Sequence, residues 1–264
     1  MHMKSIRDMV AYYNTELERD TRYEVIGYLL NHLGELDQLS MSDVARETYV
    51  SKSTVSRLVR RFGFESYDEF LDEMHGFMGQ DLAVTLQVSQ AQRALLVKDS
   101  SRFLDGYIDD ICASLVQLKE LVSQVDVDEL IERSFAGETA FFATDKPLSM
   151  ARDLQTAYLL AGKLVQLGET KQKRRQIASE LPAGSLAIVF SNYGRYVDGN
   201  RPMLEEMRRR GVTLWLVTLC YDGPNVLLFD KIISLSRGGY TSVGGFPMRV
   251  FVEFVVRRML LGKG

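Results

Sequence analysis

The chain has 264 residues, 46% hydrophobic and 25% charged, with 20 Gly and 5 Pro. That composition excludes a collagen-like chain, a coiled-coil rod and a disordered tail, and the length suits two domains or one large one. A net charge of -3 gives no bulk support to nucleic-acid binding, and the longest apolar runs, Leu186–Phe190 and Leu214–Val217, are far too short to span a bilayer. Met1–Tyr13 contains Lys4, Arg7 and Asp8 and no apolar stretch, so no secretory leader is expected. Cys112 and Cys220 stand in no metal or redox spacing. They read as small buried hydrophobes in a cytoplasmic chain with no metal site and no cofactor.

The first 80 residues predict short helices. Ile6, Met9, Val10, Tyr13 and Leu17 repeat at helical spacing, as do Val25, Ile26, Leu29, Leu30 and Leu33, after which Gly34 offers a stop. Ser40 is an expected N-cap with Asp43 three residues on, and Ser51 starts the next helix. Ser66 and Glu69 form a capping box ahead of Phe70, Leu71, Met74, Phe77 and Met78. Five short helices suffice for a compact all-α domain.

The third and fourth helices are separated only by Thr48–Val50, a helix-turn-helix outline. Residues 1–80 carry nine Lys+Arg against fourteen Asp+Glu, yet Ser51–Gly63 contains Lys52, Arg57, Arg60 and Arg61 and no acid. On a wheel of about 100° per residue, Val55, Leu58, Val59 and Phe62 share one face. Ser53, Ser56, Arg57 and Arg60 occupy the opposite face, flanked by Arg61 and Lys52. One face would lock onto the domain while the other enters a major groove. Arg57 or Arg60 could read a guanine, Ser51, Lys52 and Ser53 at the helix start suit a phosphate, and Thr54 joins them among the expected DNA-binding residues.

These residues carry a family resemblance. Leu39-Ser-Met-Ser-Asp-Val-Ala45, Val50-Ser-Lys-Ser-Thr-Val-Ser-Arg57, Phe62-Gly-Phe64 and Tyr67–Phe70 resemble the N-terminal domain of RpiR-like (MurR/RpiR) transcriptional regulators. The resemblance covers residues 1 to about 78. It departs at the turn, where Tyr49 stands in place of the usual Gly or small residue. If that position needs a positive φ, the tyrosine costs on the order of 1 kcal/mol.

Residues 81–105 are expected to form a helical connector, and Phe103–Val122 and Val127–Phe135 are helices by spacing. Strands follow at Thr139–Ala143, Lys163–Gly168, Ser185–Phe190, Val212–Leu219 and Lys231–Leu235. Helices at Ser149–Ala161, Lys171–Leu181, Val197–Gly211 and Gly245–Leu261 complete the alternation, which predicts an α/β sandwich around a parallel sheet. The apolar face of the last helix (Val250, Phe251, Phe254, Val255, Leu260, Leu261) reads as core or interface, core being favoured, and Trp215 reads as core. Ligands in such sheets bind where strands end and helices begin, which selects Thr144–Pro147 and Ser191–Tyr196.

This half resembles a SIS (sugar isomerase) domain over about residues 103–264, the domain that follows the helix-turn-helix in RpiR-like regulators. The resemblance implies a phosphosugar loop of pattern Ser-x-Ser-Gly-x-Thr. Here it reads Ser191-Asn192-Tyr193-Gly194-Arg195-Tyr196, keeping only Ser191 and Gly194. The earlier loop, commonly Gly-x-Gly-x-Ser, reads Ala143-Thr-Asp-Lys-Pro147. Asp145 would repel a phosphate, while Lys146 and Arg195 would attract one. The expected effector residues are therefore Lys146, Ser191, Asn192, Tyr193, Gly194, Arg195 and Tyr196.

The resulting expectation is an α + α/β chain. A helix-turn-helix DNA-binding domain spans 1–78, a helical connector 79–105, and an effector-sensing and oligomerising SIS-like domain (a three-layer α/β sandwich) 106–264. The expected partners are an operator in double-stranded DNA, a small-molecule effector that is a phosphosugar or, given the altered loops, another metabolite, and further copies of the chain in a homodimer or homotetramer. The expected role is control of carbohydrate-metabolism genes. One alternative is a vestigial SIS half that only dimerises. A sugar-phosphate isomerase is disfavoured because His2, His32 and His75 all precede the α/β half.

Overall fold

The computed structural model describes residues 6–78, 88–238 and 243–262. The chain divides into two compact units, Met1–Thr85 and Leu86–Gly264.

The first unit is helical: α1 (Ile6–Thr15), α2 (Thr21–Asn31), α3 (Met41–Glu47), α4 (Lys52–Arg61) and α5 (Tyr67–Met78). Side-chain caps set the starts. Asp20 accepts from the Arg22 and Tyr23 amides, Ser40 from Asp43 and Ser51 from Thr54. Ser66 caps α5 by accepting from the Glu69 amide, but the Glu69 carboxylate turns to the Glu65 amide instead of closing the box on Ser66. Gly34 does not simply end α2. The chain runs on as a 3-10 segment, Leu33–Gln38, kinked at Glu35. The core collects Met9, Val25, Ile26, Leu29, Val44, Val55, Leu58, Phe62, Phe70 and Met74. Tyr67 is buried with them and donates its hydroxyl to the Leu39 carbonyl at 2.9 Å; burial pushes its phenol up to about 12.

The second unit opens with α6 (Gln90–Lys98), α7 (Ser100–Leu121) and α8 (Gln124–Ala136). The helical expectation for 81–105 therefore holds from Gln90, with a break at Asp99, and its part at 81–87 lies outside the described residues. Five strands follow: β1 (Thr139–Ala143), β2 (Gln166–Leu167), β3 (Leu186–Phe190), β4 (Thr213–Thr218) and β5 (Lys231–Ser234). All pairings are parallel, in the order β2-β1-β3-β4-β5. Both faces of the central strands are covered, which explains their unbroken apolar runs. Phe141, Ile188, Phe190, Trp215 and Val217 face a layer built by α7, α8, α9 (Asp145–Leu160) and α13 (Phe246–Leu261). Phe142, Val189, Leu214 and Leu216 face α10 (Lys171–Glu180), α11 (Arg195–Gly199) and α12 (Arg201–Arg209). This is a three-layer α/β sandwich.

Several local expectations are corrected. The helix expected from Ser149 begins at Asp145, because Pro147 needs no amide partner in a first turn. The helix expected over Val197–Gly211 breaks at Asn200 into α11 and α12. Of the α13 stripe, Phe251 and Val255 are buried, whereas Val250, Phe254, Leu260 and Leu261 are exposed, since the helix packs along one side only. Cys112 is exposed and Cys220 half-buried, so neither is a buried core residue. Cys112 lies on the outward side of α7, whose buried residues are Ser114 and Leu118.

Candidate functional sites

In the helical unit, α3, the four residues Thr48–Ser51 and α4 form the helix-turn-helix. Val55, Leu58 and Val59 anchor α4 to the core. Ser51, Lys52, Ser53, Arg57, Arg60 and Arg61 are exposed, with Thr54 and Ser56 half-buried. The Ser51 hydroxyl lies 2.7 Å from that of Ser53 and 2.9 Å from that of Thr54, so a hydroxyl cluster crowns the helix start. Arg57 reaches the Ser53 carbonyl at 3.3 Å and Arg60 the Glu65 carbonyl at 3.4 Å, both long contacts that leave guanidinium donors free. Among the described residues no carboxylate pairs with Lys52, Arg57, Arg60 or Arg61. The face therefore presents uncompensated positive charge on a rigid helix.

In the α/β unit, β1 leads through α9 to β2 on one side, and β3 leads through α11 and α12 to β4 on the other. The direction of winding reverses between β1 and β3, and such a switch opens a crevice beyond the strand ends. Lys146 (on the first turn of α9) and the Ser191–Tyr196 turn after β3 lie at that edge. The Asn192 carbonyl accepts from the Leu219 and Cys220 amides at 3.0 and 3.3 Å and from the Thr218 hydroxyl at 3.2 Å, which ties the turn to the end of β4. Gly194 adopts φ 78. Among the described residues, no group accepts from the backbone amides of Asn192, Gly194 and Arg195. Such a cluster of donors suits an anion.

The six turn residues have different fates. Arg195 is exposed, as is Lys146, while Asn192 and Tyr193 are half-buried. Ser191 is buried and its hydroxyl accepts from the Tyr196 amide at 3.3 Å. Tyr193 packs towards the α9/α13 layer and lines a cavity of about 10 Å³, the room one water molecule needs, with Leu219, Cys220 and Pro247. Burial first, then the neighbouring Cys220, pushes its phenol up to about 12. Tyr196 is buried in the opposite layer, where desolvation raises its phenol. The two tyrosines thus diverge to opposite sides of the sheet.

Six residues that sequence reasoning passed over complete the site. The Tyr221 ring lies directly on Gly194, where any Cβ would collide with it, and folds back over Gly223, where a Cβ would fall 2.5 Å from the ring. Its hydroxyl donates to Asp198 Oδ1 at 2.5 Å, and Asn225 Nδ2 donates to the same oxygen at 2.9 Å. Gly244 and Gly245 precede α13. A Cβ at Gly244 would sit 4.0 Å from Lys146 Nζ, and one at Gly245 3.7 Å from Asn192 Nδ2. Gly244 adopts φ 66, which suits glycine, and a Cβ at Gly245 would fall 2.9 Å from Met150 Cε, so the two glycines let the turn before α13 pack on α9 beside Lys146 and Asn192. Their only advance signal is the clustering of Gly238, Gly239, Gly244 and Gly245 in the sequence ahead of α13.

A family model for the helix-turn-helix domain of the rpiR family matches residues 15–80. Residues 15–80 are an rpiR-family helix-turn-helix domain. Vibrio vulnificus NanR, complexed with ManNAc-6P, is similar across the chain: 19% identity, 97% of this chain and 92% of that one covered, TM-score 0.50. The sugar isomerase domain of the RpiR transcription factor from Sphaerobacter thermophilus shares 15% identity over 60% of this chain and 89% of its own, with TM-score 0.51. The α/β unit has the sugar isomerase (SIS) fold that these structures display. No curated protein matches the sequence.

Proposed function

We propose that the protein is a DNA-binding transcriptional regulator whose SIS-like unit senses a small anionic, sugar-phosphate-like metabolite and so controls genes of carbohydrate metabolism. The observation that carries this reading is a basic face of α4 on an rpiR-family helix-turn-helix, in one chain with an amide cluster at the switch point of a SIS fold, the cations without a carboxylate and the amides without an acceptor among the described residues. Ser51, Lys52, Ser53 and Thr54 position the phosphates, and Ser56, Arg57, Arg60 and Arg61 face the groove. Lys146, Asn192, Gly194 and Arg195 hold the anion, with Ser191, Tyr193 and Tyr196 shaping the turn around them. ManNAc-6P, bound by the NanR relative, is the first ligand to try. The domains are assigned as 1–78 for DNA, 79–105 as connector and 106–264 for sensing and assembly. A homodimer or homotetramer in the cytoplasm follows from this role, since paired recognition helices fit half-sites about one helical turn apart. The α/β unit contains no histidine to shuttle protons, so binding, not isomerisation, is its task.

A second reading is favoured by the Tyr221 ring on Gly194. In it the turn is closed and the SIS half only assembles copies, through the exposed Phe246, Val250 and Phe254 of α13. Selection of DNA from a random pool by the purified protein, followed by anisotropy titration with and without ManNAc-6P and inorganic phosphate, separates the two. A ligand-dependent change in DNA affinity supports sensing. Tight DNA binding indifferent to both, with no thermal stabilisation by either, leaves only assembly.

A further inference from the structure

Four helices of the described chain end in the same hydrogen-bonded cap. After α4, Gly63 N–H donates to the Arg60 carbonyl at 2.9 Å and Phe64 N–H to that of Val59 at 3.3 Å. The ends of α9 and α12 repeat this pair of bonds at Gly162–Lys163 and Gly211–Val212. In all three the left-handed residue is glycine, at φ 90, 84 and 82, as this motif favours. After α3 the same bonds form, Tyr49 N–H to the Arg46 carbonyl at 3.2 Å and Val50 N–H to that of Ala45 at 2.9 Å. Here the left-handed residue is Tyr49, at φ 55, the one non-glycine with positive φ among the described residues.

An L side chain at this position is strained by contact of its Cβ with the backbone. The folded domain returns nothing for it. The Tyr49 side chain is 96% exposed, so it gains no packing, and among the described residues its hydroxyl has no partner. The turn is seated by Val50, which packs on the core. Tyr49 stands two residues before Ser51, the N-cap of α4, a separation of at most about 7 Å. The exposed Ser51, Lys52 and Ser53 follow directly. A phenol hydroxyl beside unpaired cations is suited to donate to a phosphate oxygen.

We propose that Tyr49 is a DNA-backbone contact: its hydroxyl donates to a phosphodiester oxygen at the edge of the groove that α4 enters. The proposal rests on the DNA-binding reading above. The contact carries no base information, adds to affinity for every sequence and, being neutral, releases no counterion.

The test compares Tyr49→Phe and Tyr49→Gly with the wild type in the full chain. Affinity is measured for the DNA that the wild type selects and for a random duplex, across a salt series, and melting is followed in parallel. Both variants should bind both DNAs at least about 10-fold more weakly, the scale of one hydrogen bond to a charged acceptor, with the salt slope unchanged. Tyr49→Gly should nevertheless melt a few degrees higher as the strain is released. Undiminished binding by either variant overturns the contact and leaves the ring to some other partner. Loss confined to the selected sequence overturns it in favour of base reading. A glycine variant that melts lower shows that the ring supports the turn, and overturns it too. A wild type that selects no DNA removes the DNA-binding reading itself, and the contact with it.

Discussion

Gly194→Ala tests the geometry of the candidate effector turn most directly. The new Cβ meets two difficulties that can be separated. Gly194 has φ 78, where an L residue costs roughly 1–2 kcal/mol. The Cβ would also collide with the Tyr221 ring, which is held over it by Asp198 and by the fold-back onto Gly223. Forcing a methyl into such a contact costs about 1–3 kcal/mol more. The expected total is therefore roughly 2–5 kcal/mol off the α/β unit, read by urea denaturation at constant m. Tyr221→Ala removes the second difficulty and leaves the first. In the double variant the alanine should cost only its backbone share, so the cycle should show a coupling of about 1–3 kcal/mol. Additivity within about 0.5 kcal/mol would mean that the ring does not rest on Gly194, and the account of the closed turn would fail. The same Tyr221→Ala protein, titrated with ManNAc-6P, should bind it more tightly than the wild type if the ring stands in the path of an anion.

The remaining predictions concern the two units separately. Arg57→Ala should lose about 1–3 kcal/mol on selected DNA and relax preference at one base position, whereas Lys52→Ala should weaken binding to all sequences and flatten the salt slope by about one; identical behaviour of the two variants would refute the division of labour on α4. Lys231 lies 2.9 Å from Asp126, 2.7 Å from Glu129 and 5.1 Å over the Trp215 ring. Burial pushes the Asp126 carboxyl up, but hydrogen bonds from Lys231 and Ser123 outweigh it and hold it below its ordinary value. That stability is present above the unfolded carboxylate range and is lost as pH falls through the depressed value. Lys231→Met should thus flatten the acid limb of a stability–pH profile, and a profile parallel to the wild type would refute the linkage. Tyr67, whose phenol is pushed up to about 12, favours the protonated folded form. Stability should fall from about pH 10 upward as the unfolded phenol ionises, by up to roughly 3 kcal/mol at pH 12. Tyr67→Phe should remove that fall, measured as the difference between the two chains.

What could be read in advance was local. The α4 face is set by residues three and four apart, and Ser40 and Ser51 announce their helices through partners three residues on. β3 and β4 declare themselves as unbroken apolar runs because both faces are covered. What escaped was set by contacts distant in sequence. Tyr221 reaches Gly194 and Asp198 across 27 and 23 residues, and no periodicity encodes that approach. The short 3-10 turn Pro224–Leu228 escaped for a related reason. Its end is tied by Arg208, which donates to the Leu227 and Leu228 carbonyls from α12. Cys112 was misread because composition ranks cysteine as a core residue, whereas its place on the helix decides exposure.

A ligand at the Ser191–Tyr196 turn can change DNA binding only if the turn differs in free energy between two arrangements of the protein. Most of the turn offers no such freedom. Asn192 is tied to β4 by three donors, and Tyr196 is buried in the α10/α12 layer. The Tyr221–Asp198–Asn225 cluster is different. Asp198 is exposed, Tyr221 half-buried and Asn225 buried, the three are held by side-chain hydrogen bonds, and the central carboxylate lies one turn from the amides that would receive an anion. An anion entering there approaches Asp198 and loosens the bond that holds the ring, so ligand and ring compete for one place. If that competition is worth about 1.4 kcal/mol, it shifts the two arrangements tenfold. Asp198→Asn, which removes the charge but keeps an acceptor, should therefore raise phosphosugar affinity without displacing the ring. Weaker binding in that variant would place the carboxylate among the ligand's partners and reverse the argument.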